Sequence, residues 1–366
     1  MKCNVAIFPF QSHTLHLARY FDKLQPCYKL NALLSWRGTG LGGRDASVSC
    51  NYPELGISVS DALDATEKNW DVLLVDLVEV KNPFLSENPI HFFRRCLEAG
   101  KRIIFFVDTL NNLDESIVKL LQAYPEQTEI QASDNSVKHH LSDEERFSAV
   151  NSPVLLVGGL TYCQDTLEVV LSLKLSLKNR GYRVSCITSS NIGQLGGLHS
   201  SCHIWRDTSL SEEEKILLLN RLARDIIYEE RPNLLIAEAP DAVMKFNDTA
   251  PNGFGIRTYM MCQALCPSSF ICGIPFDLVR KDIISNLSKK FLECYGVEIS
   301  AAYASNALAD NIAILQQQEM SYVRVDSNVV TDWIKQHRTC CWDIPVYDIV
   351  SDDAGQICTA VQDRLC

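Results

Sequence analysis

The strongest constraint on this chain is an alternation, repeated along nearly its whole length, of short apolar runs with helical patterns. Residues 4–9 read as a strand, and residues 12–24 carry Leu15, Leu17, Ala18 and Phe21 at helix spacing. Strand-like runs follow at 30–36, 70–80 and 102–107, with a helix at 92–100 closed by Gly100. A second alternation starts at 153–157 and continues with a helix over 165–180, ended by Gly181. Strands at 182–188, 234–237, 269–275, 298–303 and 344–349 then alternate with helices at 211–230, 256–265, 278–295, 308–318 and 355–365. Such alternation means parallel sheets with helices on their faces.

At 366 residues the chain exceeds the roughly 250–300 that one core usually spans. The expectation is a Rossmann-like parallel-sheet domain over 1–110, a helical and polar linker over 111–152, and a P-loop-NTPase-like α/β domain with a C-terminal extension over 153–366. The linker assignment rests on the polar, acidic run from Gln127 to Arg146.

Two glycine loops are the obvious ligand candidates. Gly38-Thr39-Gly40-Leu41-Gly42-Gly43 satisfies GxGxxG, but residues 44–50 after it read as loop or strand. A dinucleotide fingerprint needs a helix to open there. A surface loop is the plainer reading, with a dinucleotide or another ligand contact as alternatives. The second loop has the right setting: strand 154–157, Gly158-Gly159, then a helix start at Asp165-Thr166. On the frame G-x-x-x-x-G-K-[ST], Gly159 takes the first glycine, Gln164 the second, Asp165 the lysine and Thr166 the hydroxyl. Spacing survives while the central Gly-Lys does not. Unit charges ~4 Å apart interact by ~4 kcal/mol at an effective dielectric near 20, so exchanging cation for anion approaches twice that. Asp165 also suits the first helical turn, where its carboxylate can take the amides a phosphate would use. Magnesium-nucleotide as cofactor is therefore disfavoured, and no cofactor is assigned.

From Val154 to Gly181 the chain, with its Gly-rich loop, Cys163, helix and Gly-Tyr-Arg-Val strand, resembles accessory proteins of clostridial-type peptide maturation (natural-product) systems. Glu238-Ala239-Pro240, Asn252-Gly253-Phe254-Gly255-Ile256 and Ala264-Leu265-Cys266-Pro267 extend the likeness, which covers most of 1–330. The two-domain plan is similar to the Rossmann-like plus P-loop family that includes D-glutamate N-acetyltransferase, with 97–103 and 189–197 as counterparts. This resemblance implies a bacterial, cytoplasmic protein that binds a precursor peptide or a modifying enzyme. Gln164-Asp165, in place of Gly-Lys, is where the chain departs from nucleotide-using relatives.

In an open parallel sheet, ligands bind outside the carboxyl ends of the strands. Loops 158–166, 189–197 and 238–255 should meet there, making Gly158, Gly159, Thr161, Cys163, Gln164, Asp165, Thr166, Ser189, Asn191, Gly193 and Asn252 the expected ligand-binding residues. Lys245 and Arg257 are the nearest cations in sequence. Cys163 and Glu238 are the catalytic candidates. Glu238, ending an apolar strand, suits magnesium binding or general-base work, or else caps the next turn. Cys163, at a helix start, suits a nucleophile or a peptide tether, or else is a small buried residue. His199, Cys202 and His203 form His-x-x-Cys-His, open to a metal or acid–base reading. Asp76 and Glu79 read as polar decoration of a strand end, and His139-His140 as solvated linker.

Composition narrows the partners. Thirty-four Lys+Arg against 45 Asp+Glu give −11, which argues against nucleic acid and anionic membranes. No apolar run approaches the ~18 residues of a membrane span, and the first residues do not form a signal peptide. Fifteen scattered cysteines in such a chain read as reduced thiols, Cys186 and Cys272 as small hydrophobes. Cys262 and Cys266 share a helical spacing, but Ser269 stands where a CxxxCxxC cluster needs its third thiol, and Cys340-Cys341 are adjacent. No metal site is expected. The leading expectation is an accessory protein of peptide maturation. The alternative is a ligase-, kinase- or acyltransferase-like enzyme with an unorthodox phosphate loop. A structural, oligomer-forming protein is the third.

Overall fold

The computed structural model describes residues 2–64, 69–80, 88–133, 147–161, 165–337, 344–350 and 354–365. Two compact units result: Met1–Lys138 with Ser190–His203, and His139–Ser189 with Ile204–Cys366. Cys163, Gln164, His139, His140, Cys340 and Cys341 lie outside the described residues.

The first unit is built from β1 (Cys3–Phe8), α1 (Ser12–Leu24), β2 (Tyr28–Ser35), β3 (Val59–Asp61), β4 (Val72–Asp76), α2 (Pro89–Glu98), β5 (Arg102–Val107), α3 (Glu115–Ala123) and β6 (Thr128–Ala132). All its strand pairs are parallel, in the order β3-β2-β1-β4-β5-β6. That is a Rossmann-like topology. The central strands are buried continuous apolar runs, as expected when helices cover both faces. Phe8 anchors an aromatic core, its ring 4.8 Å from Trp36 and 5.1 Å from Phe92. Gly100 follows α2 at φ +77°, as the helix-ending role requires.

The expected linker begins too early. Residues 115–132 hold α3 and β6, which complete the first sheet. β6 reads Thr-Glu-Ile-Gln-Ala because an edge strand needs apolar residues on one face only. The GxGxxG run opens no helix. Side chains added at Gly38, Gly40, Gly42 or Gly43 would meet nothing within 4 Å, and a short 3-10 turn follows at Ala46–Ser49.

The second unit starts with β7 (Val154–Gly159), α4 (Asp165–Asn179) and β8 (Val184–Thr188). The chain then re-enters the first unit through a 3-10 turn at Asn191–Gly196 and the two-residue β9 (His199–Ser200). After α5 (Cys202–Arg206) come α6 (Glu212–Glu230), β10 (Leu234–Glu238), α7 (Ile256–Leu265), β11 (Ser269–Pro275), α8 (Lys281–Tyr295) and β12 (Ile299–Ser305). An antiparallel pair, β13 (Ala307–Ala309) and β14 (Tyr322–Arg324), brackets α9 (Asn311–Gln317). α10 (Ser327–His337), β15 (Val346–Asp348) and α11 (Ala354–Leu365) finish the chain. Within the unit the parallel order is β15-β12-β11-β7-β10-β8. The C-terminal extension is thus part of the sheet, with Arg180 Nη2 donating to the Gly355 carbonyl at 2.6 Å. Helix α4 is central, with apolar and polar side chains buried together: Leu167, Val169, Val170 and Leu171 beside Asp165, Thr166 and Glu168.

Asp76 stands at a strand end as expected, but it is buried and is more than polar decoration. It ends β4 at 1% exposure, where Asn191 Nδ2 (2.9 Å) and Val78 N (3.1 Å) donate to Oδ1. Oδ2 has no hydrogen-bond partner among the described residues. Burial pushes its carboxyl up to about 7, against the hydrogen bond from Asn191 and with the Glu79 carboxylate adding to the rise. A folded pKa above the unfolded value means that folding favours the protonated acid, so stability falls as pH rises through the interval between them. Wild type should therefore lose stability relative to Asp76→Asn between about pH 4 and about pH 7 in urea melts. A difference that stays constant with pH would contradict it.

Candidate functional site

Connections reverse at β7. The chain leaves it for β8 and β10 on one side, then crosses to β11 and β12 on the other. Such a switch point opens a crevice at the strands' carboxyl ends. Glu238, the last residue of β10, lies there at 4% exposure. Its Oε1 accepts from Thr166 Oγ1 at 2.8 Å; its Oε2 accepts from Thr188 Oγ1 at 2.6 Å and from Ser189 N at 3.2 Å. One buried carboxylate therefore joins the start of α4, the end of β8 and the end of β10. Those neutral donors satisfy a charge that would otherwise be too costly to bury.

Beside it, Asp165 opens α4 at the position of the expected phosphate-loop lysine and is itself fully buried. Its charge is compensated from far along the chain: Arg324 Nη1, on β14, donates to Oδ1 at 3.0 Å. The Ser305 hydroxyl at the end of β12 donates to Oδ2. Arg324 Nη1 also reaches Asn306 Oδ1 at 2.7 Å. Lys245 and Arg257 are not this cation. Lys245 is paired with Asp248, and Arg257 is exposed on α7. The missed residues Arg324, Ser305, Asn306 and Thr188 have one sequence signal between them, the short alternating run Tyr322-Val323-Arg324-Val325.

Thr161 is 1% exposed, and its hydroxyl has no hydrogen-bond partner among the described residues. Gly158 is required by packing: a Cβ there would lie 2.8 Å from Val243 Cγ1 and 2.9 Å from Phe270 Cζ. The Gly159 carbonyl accepts from Val243 N at 3.0 Å, and Asn252 Nδ2 donates to the Leu160 carbonyl at 3.4 Å. The structure thus gathers Gly158, Gly159, Thr161, Asp165, Thr166, Ser189, Glu238 and Asn252 in the second unit. Asn191 and Gly193 belong to the first, where Asn191 holds Asp76.

The buried cysteines behave as packing groups. Burial pushes the Cys186 thiol up to about 11 and Cys262 to about 12. Cys262 is buried, whereas Cys266 is the exposed left-handed cap of α7, so helical spacing does not pair them. Among the described residues, no group of three or more His, Cys, Asp or Glu converges on a metal position, and no helix is long and apolar enough to cross a membrane.

No family model matches the chain, and no curated protein matches it. Among solved structures, it is similar to a 2.30 Å crystal structure of a DUF1611 family protein from Anabaena variabilis, with TM-score 0.61 and 14% identity, covering 99% of this chain and 100% of that one. That likeness extends to the fold. The apo-structure of D-lactate dehydrogenase from Escherichia coli aligns over 100% of this chain and 95% of that one with 10% identity, but its TM-score of 0.20 is too low to indicate a shared fold.

Removing one member of a buried ion pair strands the other charge, at about 3–5 kcal/mol. Arg324→Met should destabilise the protein by roughly that amount in chemical denaturation, and Asp165→Asn added to it should recover part of the loss. Asp165→Lys should destabilise as well, since it sets a second cation against Arg324. An Arg324→Met variant as stable as wild type would remove the ion pair from this account.

Proposed function

We propose that the second unit binds a phosphate-bearing ligand with magnesium, a nucleotide or a nucleotide-like acyl donor, through an unorthodox phosphate loop. The observation that carries the reading is the Thr166–Glu238 contact at the start of α4, together with the Thr161 hydroxyl, which has no hydrogen-bond partner among the described residues. A hydroxyl and a carboxylate fit magnesium, which usually takes one or two protein oxygens and fills its shell with water and phosphate. Thr166 and Glu238 would hold it, and when bound it would offset phosphate charge. Thr161, 1% exposed, offers a hydroxyl to a ligand oxygen at the same loop.

Asp165 no longer opposes an anion as it does in the sequence alone. Arg324 at 3.0 Å makes the pair neutral overall, and Ser305 holds the remaining carboxylate oxygen. Thr188 and Ser189 orient Glu238 whether or not a ligand is bound. Such a domain supports ligase-, kinase- or acyltransferase-like chemistry.

An accessory role in peptide maturation is the second reading, and it would use this ligand site without turnover. Ile312 and Leu315, three apart on α9, are 72% and 69% exposed, an apolar face suited to a precursor peptide or a modifying enzyme.

Thermal melting with ATP, GTP or coenzyme A, with and without magnesium, tests the binding claim. Ligand at 100 times its dissociation constant should stabilise by about 2.7 kcal/mol, several degrees in a chain of this size. Glu238→Gln should lose the magnesium-dependent part of the shift, and Thr161→Val should weaken binding. No shift with any of the three would sink the phosphate reading. A shift without turnover would put the accessory role first.

A further inference from the structure

The turn that follows β10 is the most strained backbone beside this site. Asn252, Gly253, Phe254 and Gly255 have φ of +53°, +67°, +58° and +75°, four left-handed residues in succession. Glycine adopts that region freely and asparagine tolerates it, so Phe254 is the residue held there against its own preference. The two glycines are fixed by contact as well as by φ. A Cβ on Gly253 would lie 2.7 Å from an Asp241 carboxylate oxygen, and one on Gly255 would lie 2.3 Å from the Val243 carbonyl oxygen.

The turn is tied to the ligand loop. Asn252 Nδ2 donates to the Leu160 carbonyl at 3.4 Å, and Val243 N donates to the Gly159 carbonyl at 3.0 Å. The Tyr295 hydroxyl donates to the Val243 carbonyl from behind. Phe254 and, two residues on, Ile256 stand outward from this tethered backbone, and Phe254 is the aromatic one inside the turn. Phe254 is 58% exposed, and its ring stacks on no other ring among the described residues. A strained residue persists where the surrounding contacts over-determine it, and such places cluster at ligand clamps. Packing gives no reason for a phenylalanine here, since most of its surface meets solvent.

We propose that Phe254 is the platform on which the flat base of the ligand stacks, so that the site selects phosphate compounds carrying a nucleobase over bare phosphates. This rests on the phosphate-ligand reading of the second unit. Nucleotides and coenzyme A share such a base, and an aromatic face accepts bases with little regard to identity because each has a π-face. Leu160, to which Asn252 is tethered, is one residue from Thr161, so the turn that carries the ring is joined to the segment that would take the phosphates. The turn's glycines keep the backbone close to that loop while the ring projects from it.

Calorimetric titration of the full chain with magnesium and either ATP, coenzyme A or tripolyphosphate separates the two claims. Wild type should bind ATP and coenzyme A more tightly than tripolyphosphate. Phe254→Ala should weaken ATP and coenzyme A by about 5- to 100-fold and leave tripolyphosphate unchanged, while Phe254→Trp keeps the preference. Phe254→Gly, which removes a strained Cβ, should melt higher than wild type yet bind the base-bearing ligands as weakly as the alanine variant. That pairing marks a residue kept for binding and separates it from a folding defect. If wild type binds tripolyphosphate as tightly as ATP, or if Phe254→Ala binds ATP as wild type does, the platform is overturned and the phosphate site stands. If wild type binds none of the three, both fall together.

Discussion

Glu238 is the constraint around which the second unit's site is arranged. A carboxylate at 4% exposure must be given donors or lose its charge, and this one receives them from Thr166, Thr188 and Ser189. Those donors come from separate segments, so satisfying one acid fixes where α4 starts relative to the ends of β8 and β10. Parallel strands supply the frame, because β10 lies between β7 and β8 and all point their carboxyl ends the same way. The two oxygens joined in that contact, Thr166 Oγ1 and Glu238 Oε1, are the ones the proposed magnesium would use, so packing and the proposed chemistry rest on the same side chains.

Asp165 shows how a local rule is reversed by a distant partner. Within its own segment it is an anion where a phosphate loop carries a cation. In the folded unit it meets Arg324 and Ser305, 159 and 140 residues away, and the local charge is balanced. The antiparallel pairing of β13 and β14 brings that guanidinium to its place, since Arg324 ends β14 beside Asn306, the residue between β12 and β13. A buried pair of this kind adds little net stability compared with apolar packing, but it makes each partner dependent on the other. It holds the start of α4 in one arrangement.

The first unit uses the same sheet logic with different chemistry. Its first strand turns without glycine into α1, where Gln11 and Thr14 cap the helix for themselves. Its acid, Asp76, is left partly unsatisfied and is pushed up to about 7 by burial. Asn191, expected among the ligand residues of the second unit, is instead the donor that steadies this acid. A segment that returns to another unit cannot be assigned from neighbours in sequence.

The alternation of apolar runs and helical patterns was enough by itself to determine two parallel α/β sheets, because strand and helix periods are local properties. The same holds for Gly100 and Gly181 as helix ends and for Glu238 at a strand end. Edge strand β6 escaped because an edge buries one face and reads as polar, and the short β14 because three residues carry almost no period. Only the tertiary structure decided which side chains meet: Arg324 with Asp165, Thr188 with Glu238, and Asn191 with Asp76. Strand order is set by packing between elements far apart in the chain, and no local pattern records it. The role of Gly255 is of the same kind, since what excludes a side chain there is the Val243 carbonyl brought close by the fold.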